Sequence, residues 1–192
     1  MKHDGLSVLE SRIAADLART AHPSASWLEP VPGPDGKRAY DVMPIIETVF
    51  DVGSVLELRR GFGRGVTTAF ARLEGRACGV IANVSAINGG AVDRDEADKA
   101  ARFMQLCDAE DIPIVSFIDT PGFMVGPEAE TRANVRHFSR IFLVGASLTT
   151  PMISVILRKA YGLGAMAMSG GSFHESSQMT FSWPSGEFGA MG

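Results

Sequence analysis

Cysteine is scarce in this chain of 192 residues, and Cys78 and Cys107 stand in apolar surroundings with no CxxC and no histidine at ligand spacing. That pattern argues against a metal site or a disulfide and for two buried free thiols. No stretch reaches the roughly eighteen apolar residues of a membrane helix. Met1-Lys2-His3-Asp4-Gly5 lacks the apolar core of a secretory signal, so neither a span nor export is expected. Lysine and arginine total 18 against 22 acidic residues, a net charge of −4, and they are scattered. No basic stripe is left to serve nucleic acid or an acidic membrane surface. A reducing cytoplasm is the expected compartment. Also missing are a GxxxxGK[ST] phosphate loop and a convincing Ser-His-Asp or metal constellation.

What is present has an ordinary globular makeup, 45% hydrophobic and 21% charged, enough for one substantial core. Leu6, Leu9, Ile13 and Leu17 recur at helical spacing, and the prolines and glycines from Pro23 to Gly36 follow as a linker. Residues 1–39 are therefore expected to form a helix and linker, and residues 40–192 the compact domain. Val42, Ile45, Ile46, Val49 and Phe50 predict a helix with Asp41 as its cap. Strands are expected over Val55–Leu58, Thr67–Leu73 and Cys78–Asn83. Gly61-Phe62-Gly63-Arg64-Gly65 between the first two lacks the dinucleotide spacing and reads as a loop that lets backbones pass closely.

After the glycine-bearing turn at Ser85–Gly90, a helix capped by Asp93 or Asp95 carries Ala97, Ala100, Met104 and Cys107 on its apolar stripe. The branched run Ile112–Ile118 is then a strand, completing a strand-helix-strand crossover. It ends in Asp119-Thr120-Pro121-Gly122-Phe123. Asp-Thr-Pro-Gly also occurs in GTP-binding proteins, but the missing phosphate loop removes that reading. A plain turn is one account of Pro121-Gly122; a crevice at the strand's carboxyl edge, with Gly122 and Phe123 in it, is the other. A long helix beginning near Glu128 is expected to bury Val135, Phe138, Phe142, Gly145 and Leu148. His137 lies beside that stripe with no carboxylate at local spacing to orient it, and takes no chemical role.

The apolar run Met152–Leu157 predicts a buried strand that leads through Arg158-Lys159-Ala160-Tyr161 into Gly162-Leu163-Gly164 and a helix of small residues. A glycine-softened turn into a core helix explains this stretch by itself. The sharper reading uses the bare backbone: glycines remove the side-chain wall, so first-turn amides at the positive end of the helix dipole can face an oxygen that gains negative charge. Ser169–Ser172 and a strand at Met179–Trp183 follow, and Trp183-Pro184-Ser185-Gly186-Glu187-Phe188-Gly189 reads as a strand edge entering a further element, as if the fold were truncated.

Tyr40-Asp41-Val42, Ile45-Ile46-Glu47, Gly53-Ser54, Glu57-Leu58, Ala97-Asp98-Lys99-Ala100-Ala101-Arg102-Phe103, Asp119-Thr120-Pro121-Gly122-Phe123, Gly126, Arg158-Lys159-Ala160-Tyr161-Gly162, Trp183-Pro184 and Met191-Gly192 together resemble the carboxyltransferase beta subunits of biotin-dependent acyl-CoA carboxylases. The acetyl-, propionyl- and methylcrotonyl-CoA enzymes are of this type. The similarity is to their carboxyl-terminal half, from about Tyr40 to Gly192. It implies an α/β, crotonase-like fold, a superhelix of strand-strand-helix units, here incomplete at its carboxyl end. It also implies chemistry without an obligatory side-chain base. In the family it resembles, carboxybiotin is understood to release carbon dioxide, paired backbone amides to hold the biotin enolate, and the biotin nitrogen to take the alpha proton of the acyl-CoA.

By this resemblance the donors are the Leu163 and Gly164 amides, with Tyr161, Gly162, Gly122 and Phe123 lining the biotin side and no metal required. Many members read Gly-Gly-Ala after Lys-Ala-Tyr, whereas this chain reads Gly162-Leu163-Gly164-Ala165, an exchange that leaves backbone donors in place. Met166 falls about where some members carry a polar residue linked to acyl-chain choice. The implied partners are a CoA-binding carboxyltransferase half or facing subunit, a biotin carboxyl carrier, biotin carboxylase, and further copies in a homo- or hetero-oligomer. The alternatives are a non-catalytic crotonase-like module that assembles with a complete beta subunit, and another crotonase-fold enzyme such as a hydratase or thioesterase. Self-association is expected through Met152, Met166, Met168 and Phe188.

Overall fold

Val115 and Phe117 belong to the apolar cluster on one face of the central sheet and Ile114 and Ile118 to the cluster on the other, all of them buried. A strand covered on both faces needs no polar alternation, which is why this run reads as continuous apolar sequence. The structure, a computed structural model, describes residues 38–131, 133–172 and 178–190. The helix expected over Leu6–Ala18 and the passage Pro23–Gly36 lie outside these residues.

In chain order come α1 (Met43–Val49), β1 (Leu56–Leu58), β2 (Val66–Leu73), β3 (Arg76–Asn83), α2 (Arg94–Ala109), β4 (Ile114–Thr120), α3 (Pro127–Thr131), α4 (Asn134–Ser147), β5 (Met152–Tyr161), α5 (Gly162–Met168), β6 (Gln178–Ser182) and β7 (Glu187–Gly189). Among the described residues one sheet runs β1-β2-β3-β4-β5-β6, with β7 also paired to β5. The first three strands pair antiparallel, and β3 to β7 pair parallel. Helix α1 and Trp183 cover one face, α2, α4 and α5 the other. Both thiols are free and buried, as the isolated cysteines predicted, and burial pushes the pKa of each up to about 12.

The Gly61–Gly65 loop docks on the start of α2. A Cβ on Gly63 would lie 2.6 Å from the Asp95 carbonyl oxygen, so only glycine lets these backbones approach. Glu96 Oε1 accepts the Gly65 N–H at 2.9 Å, and the Lys99 ammonium, 1% exposed, donates to the carbonyls of Gly63 (3.3 Å) and Val66 (2.7 Å). Burial, opposed by Glu57 and Glu96, lowers the Lys99 pKa from its ordinary value.

Four expectations are corrected. Val42 is the cap of α1, with Asp41 Oδ1 accepting the Met43 N–H just outside it; the cap of α2 is Asp93, one of the two candidates. The helix expected from Glu128 is split into α3 and α4 by Ala133, whose backbone is left-handed (φ 53°). Within α4 the first inward position falls on Asn134, so Val135 is 76% exposed, while Phe138, Ile141, Val144 and Gly145 are buried. Met152 and Met168, expected on an exposed apolar surface, are buried on the α2–α4–α5 face; Met166 and Phe188 are exposed as expected.

At the start of β5, Asp108 Oδ1 accepts from the amides of Thr149 and Thr150 (2.8 and 2.9 Å) and from their hydroxyls (3.1 and 2.9 Å). Partial burial works in the other direction, yet these bonds hold the carboxyl below its ordinary range. A depressed folded-state pKa gives stability that is present above the unfolded value and lost as pH falls through the folded one. Allowing for solvent screening, Asp108→Ala should cost about 1 kcal/mol near neutral pH. In urea melts the gap to wild type should narrow as pH falls below the ordinary carboxylate value; a gap unchanged by acid would remove the carboxylate from the account.

Candidate functional site

Two strand ends and one helix start build the site. β5 does not stop at Leu157, as its apolar run predicted, but continues through Arg158 and Lys159 to Tyr161, and β4 continues through Asp119 to Thr120. The charges are tolerated inside the sheet because they meet each other. Arg158 Nη2 lies 2.9 Å from Asp119 Oδ2, Arg158 Nε donates to Asp119 Oδ1 at 3.2 Å, and the two side chains are 5% and 0% exposed. The Arg158 guanidinium also sits 5.2 Å from the centre of the Tyr40 ring. Burial first, and the Asp119 carboxylate second, drive the Tyr40 hydroxyl well above its ordinary pKa.

At the end of β4 the chain turns at Pro121-Gly122, with Gly122 at φ 126°. Thr120 Oγ1 accepts the Gly122 N–H and donates to the Gly122 carbonyl, both at 3.1 Å. Val92 holds the turn from the other side: its N–H donates to the Gly122 carbonyl at 3.0 Å, and its carbonyl accepts the Met124 N–H at 2.9 Å. Phe123 stacks on Phe138 of α4, ring centroids 4.0 Å apart, with Phe142 edge-on at 6.1 Å.

Helix α5 begins directly on this turn. Tyr161 is its extended cap residue, and Gly162 reverses the chain at φ 58°. Gly164 is buried, and a Cβ there would lie 2.5 Å from the Gly122 carbonyl carbon, 2.7 Å from its Cα and 2.8 Å from the Phe123 nitrogen. Gly164 is therefore needed for backbone-on-backbone packing. The first-turn amides of α5, Leu163 and Gly164 among them, lie ahead of any intrahelical acceptor. The Leu163 side chain is 61% exposed, so residue 163 meets its surroundings chiefly through its backbone.

Between α5, β5, β6 and β7 lies a cavity of about 490 Å³ whose walls include Gly162, Leu163, Met166, Ile118, Ile156 and Phe188, with no ionisable side chain among the described residues that line it. This is the size of a small-molecule site. Tyr161 Oη donates to Glu187 Oε2 at 2.7 Å, which raises the phenol's pKa and clasps β5 to β7 at the cavity's edge. Gly162 and Leu163 thus line the cavity and Tyr161 borders it; Gly164, Gly122 and Phe123 do not line it, Gly164 being buried against Gly122 while Phe123 packs toward α4.

His137 corrects a further expectation. Its Nδ1 lies 2.8 Å from Asp98 Oδ2, and Asp98 Oδ1 meets Arg140 Nη1 at 2.6 Å. The carboxylate stands 39 residues away on α2, out of reach of a local spacing rule. It ties α2 to α4, and His137 is not among the residues lining the cavity at α5. Asp119, Arg158, Glu187 and Phe188 were not singled out for the site. The one available signal was a basic pair running on from an apolar strand, matched by an aspartate closing its neighbour.

A mixed sheet with helices on both faces and glycine-bearing turns at its parallel strand ends defines an α/β chain of strand-strand-helix units. The chain belongs to the carboxyl transferase domain family, matched over residues 11–192, a span that reaches upstream of Tyr40. It is 38% identical over 158 residues to the methylmalonyl-CoA carboxyltransferase 12S subunit of Propionibacterium freudenreichii subsp. shermanii, covering 82% of this chain and 30% of that one. Among solved structures it resembles a single-chain, multi-domain long-chain acyl-CoA carboxylase (54% identity, TM-score 0.80, 86% of this chain and 16% of that one). It also resembles the transcarboxylase 12S hexamer with hydrolysed methylmalonyl-coenzyme A bound (37% identity, TM-score 0.80, 86% and 32%). These relatives give the chain its crotonase-like fold, as its motifs implied. The chain spans about 30% of the length of the curated relatives it matches.

The glycine crossing has a direct stability test. Gly164→Ala forces the backbones apart and should destabilise by about 1–3 kcal/mol, as overpacking does. Gly61→Ala, with nothing within 4 Å of the added methyl and no positive φ, should change stability by less than about 0.5 kcal/mol. Urea melts of equal midpoint for the two variants would contradict the packing described.

Proposed function

We propose that this chain is the biotin-side half of an acyl-CoA carboxyltransferase, moving a carboxyl group from carboxybiotin to an acyl-CoA bound by a partner half. One observation carries the reading: Gly164 lies bare on Gly122, which fixes the start of α5 so that Gly162 and Leu163 line a cavity with no ionisable side chain among its described lining residues. Preorganised N–H donors in such a place stabilise an oxygen as its charge develops and undergo little reorganisation during the reaction. Leu163 and Gly164 supply the donors, while Tyr161, Gly162, Gly122 and Phe123 form or support the wall on the biotin side. Biotin, presented by a carrier domain, supplies the carboxyl group and the nitrogen that takes the proton. The residues of this chain orient it and hold the oxygen. The uncharged lining among the described residues fits this chemistry, since no side-chain base is required.

The division at residues 39 and 40, a cytoplasmic setting, and assembly with a biotin carboxyl carrier, biotin carboxylase and further copies belong to the same proposal. Family membership, and likenesses to multi-domain and hexameric carboxyl-transfer enzymes, support the carboxyltransferase reading and the assembly. Among the described residues no helix is long and apolar enough to cross a membrane.

The test is reconstitution. The chain alone should carry out no acyl-CoA-dependent carboxyl transfer from carboxybiotin, whereas addition of a CoA-binding half should produce it. In that complex Gly164→Val, provided circular dichroism shows an intact fold, should lower turnover about a hundred- to a thousandfold, the loss typical of one oxyanion donor. His137→Ala should leave it unchanged. Robust transfer by the chain alone would refute the division into halves, and an inactive His137→Ala beside an active Gly164→Val would refute the backbone mechanism.

A further inference from the structure

The two strands that lead into the site change register just before they reach it. β4 and β5 pair with one offset up to Ile118↔Ile156 and with another at Thr120↔Ala160. Three residues of β5, Leu157, Arg158 and Lys159, thus stand opposite the single residue Asp119. Such an irregularity in a central strand interrupts the ladder of backbone bonds. Here the Asp119 side chain fills the gap: Oδ1 accepts the Lys159 N–H at 3.2 Å and Arg158 Nε at 3.2 Å, while Oδ2 faces Arg158 Nη2 at 2.9 Å. Both partners are anchored from behind. Arg158 Nη1 donates to the Arg38 carbonyl at 2.8 Å, and the Asp119 N–H donates to Asn83 Oδ1 at 3.2 Å. Asn83 Nδ2 in turn reaches the Gly90 carbonyl at 3.4 Å, and the Gly90 backbone lies against the Asp119 carbonyl, where a Cβ would not fit.

A buried ion pair is weak evidence for stability, because desolvating both charges is costly; its best-attested use is to fix one register among several. Only Ala160 and Tyr161 separate this pair's bulge from Gly162 and the first turn of α5. We infer that Asp119 and Arg158 are positioning residues, whose bidentate pair locks the offset of β5 against β4 and thereby sets the direction of the Leu163 and Gly164 amides over Gly122. The consequence for turnover rests on the carboxyltransferase reading; the consequence for amide direction does not. The geometry calls for a fork on one side and a carboxylate on the other. A lysine at 158 keeps the charge but loses the planar fork, and an asparagine at 119 keeps an acceptor for Lys159 but loses the charge.

The experiment combines amide measurements on the full chain with turnover in the complex reconstituted with a CoA-binding half. Asp119→Asn and Arg158→Lys are compared with Asp108→Ala, which loosens the opposite end of β5 and serves as the destabilised control. In Arg158→Lys the Lys159 amide should exchange with solvent at least tenfold faster, and the Leu163 and Gly164 amide resonances should shift in both site variants. In Asp108→Ala all three amides should keep their wild-type behaviour under native conditions. In the complex, kcat of Arg158→Lys should fall roughly ten- to a hundredfold, the scale of a small misplacement of a reacting group, with KM for acyl-CoA nearly unchanged. The positioning role is overturned if the Leu163 and Gly164 resonances stay in place in both site variants, or if turnover follows thermal stability alike in Arg158→Lys and Asp108→Ala. A wild-type complex without carboxyl transfer would refute the carboxyltransferase reading, and the amide measurements would still decide the positioning role.

Discussion

Helix α5 rests on the end of β4 with no side chain between them, and the site depends on that contact. Gly164 meets the carbonyl carbon and Cα of Gly122 at a distance that excludes even a methyl group. Because the approach is backbone to backbone, there is no side-chain rotamer to vary at the crossing. The turn beneath it is held by Thr120 on one side and Val92 on the other. A constraint of this kind suits chemistry performed by peptide N–H groups, whose direction is set by the main chain alone.

Charge is used sparingly inside this fold, and each buried charge has a geometric task. Lys99 holds the carbonyls of Gly63 and Val66, closing the Gly61–Gly65 loop on α2. Asp119 and Arg158 sit within the central strands, where apolar residues of similar volume would pack at less desolvation cost but could not accept the Lys159 amide. Asp98 joins α2 to α4 through His137 and Arg140. In the first two cases the charged group completes backbone hydrogen bonding that regular secondary structure leaves open.

Much of this could be read from the residues. The continuous apolar runs marked the strands buried on both faces, and the glycines at 63, 65, 162 and 164 marked places where backbones pass or turn. The motifs around Asp119 and Arg158 carried the family resemblance, and the family match bears it out. Other features depend on long-range partners and escaped local pattern. The ends of β4 and β5 were placed too early because a charged residue normally ends a buried run, and only the pairing of Asp119 with Arg158 across 39 residues keeps them in the sheet. Three-residue spacing from Phe138 points Val135 to the buried face, but in the first turn of α4 it is Asn134, four residues before Phe138, that turns inward. His137 looked unpartnered because its carboxylate belongs to another helix. The site itself was half legible: the junction at Gly162–Gly164 stood out, whereas the strand β7 that closes the cavity beside it reads only as a strand edge.

On the proposed function, the amides at the start of α5 hold a carbonyl oxygen of biotin. Amide resonances of the isotope-labelled chain, followed while free biotin is added, test this most directly. Hydrogen bonding to the ureido oxygen should move the Leu163 and Gly164 amide protons downfield further than any others, with saturation at one common dissociation constant. Saturable shifts confined to other regions, with the Leu163 and Gly164 amides unmoved, would contradict it.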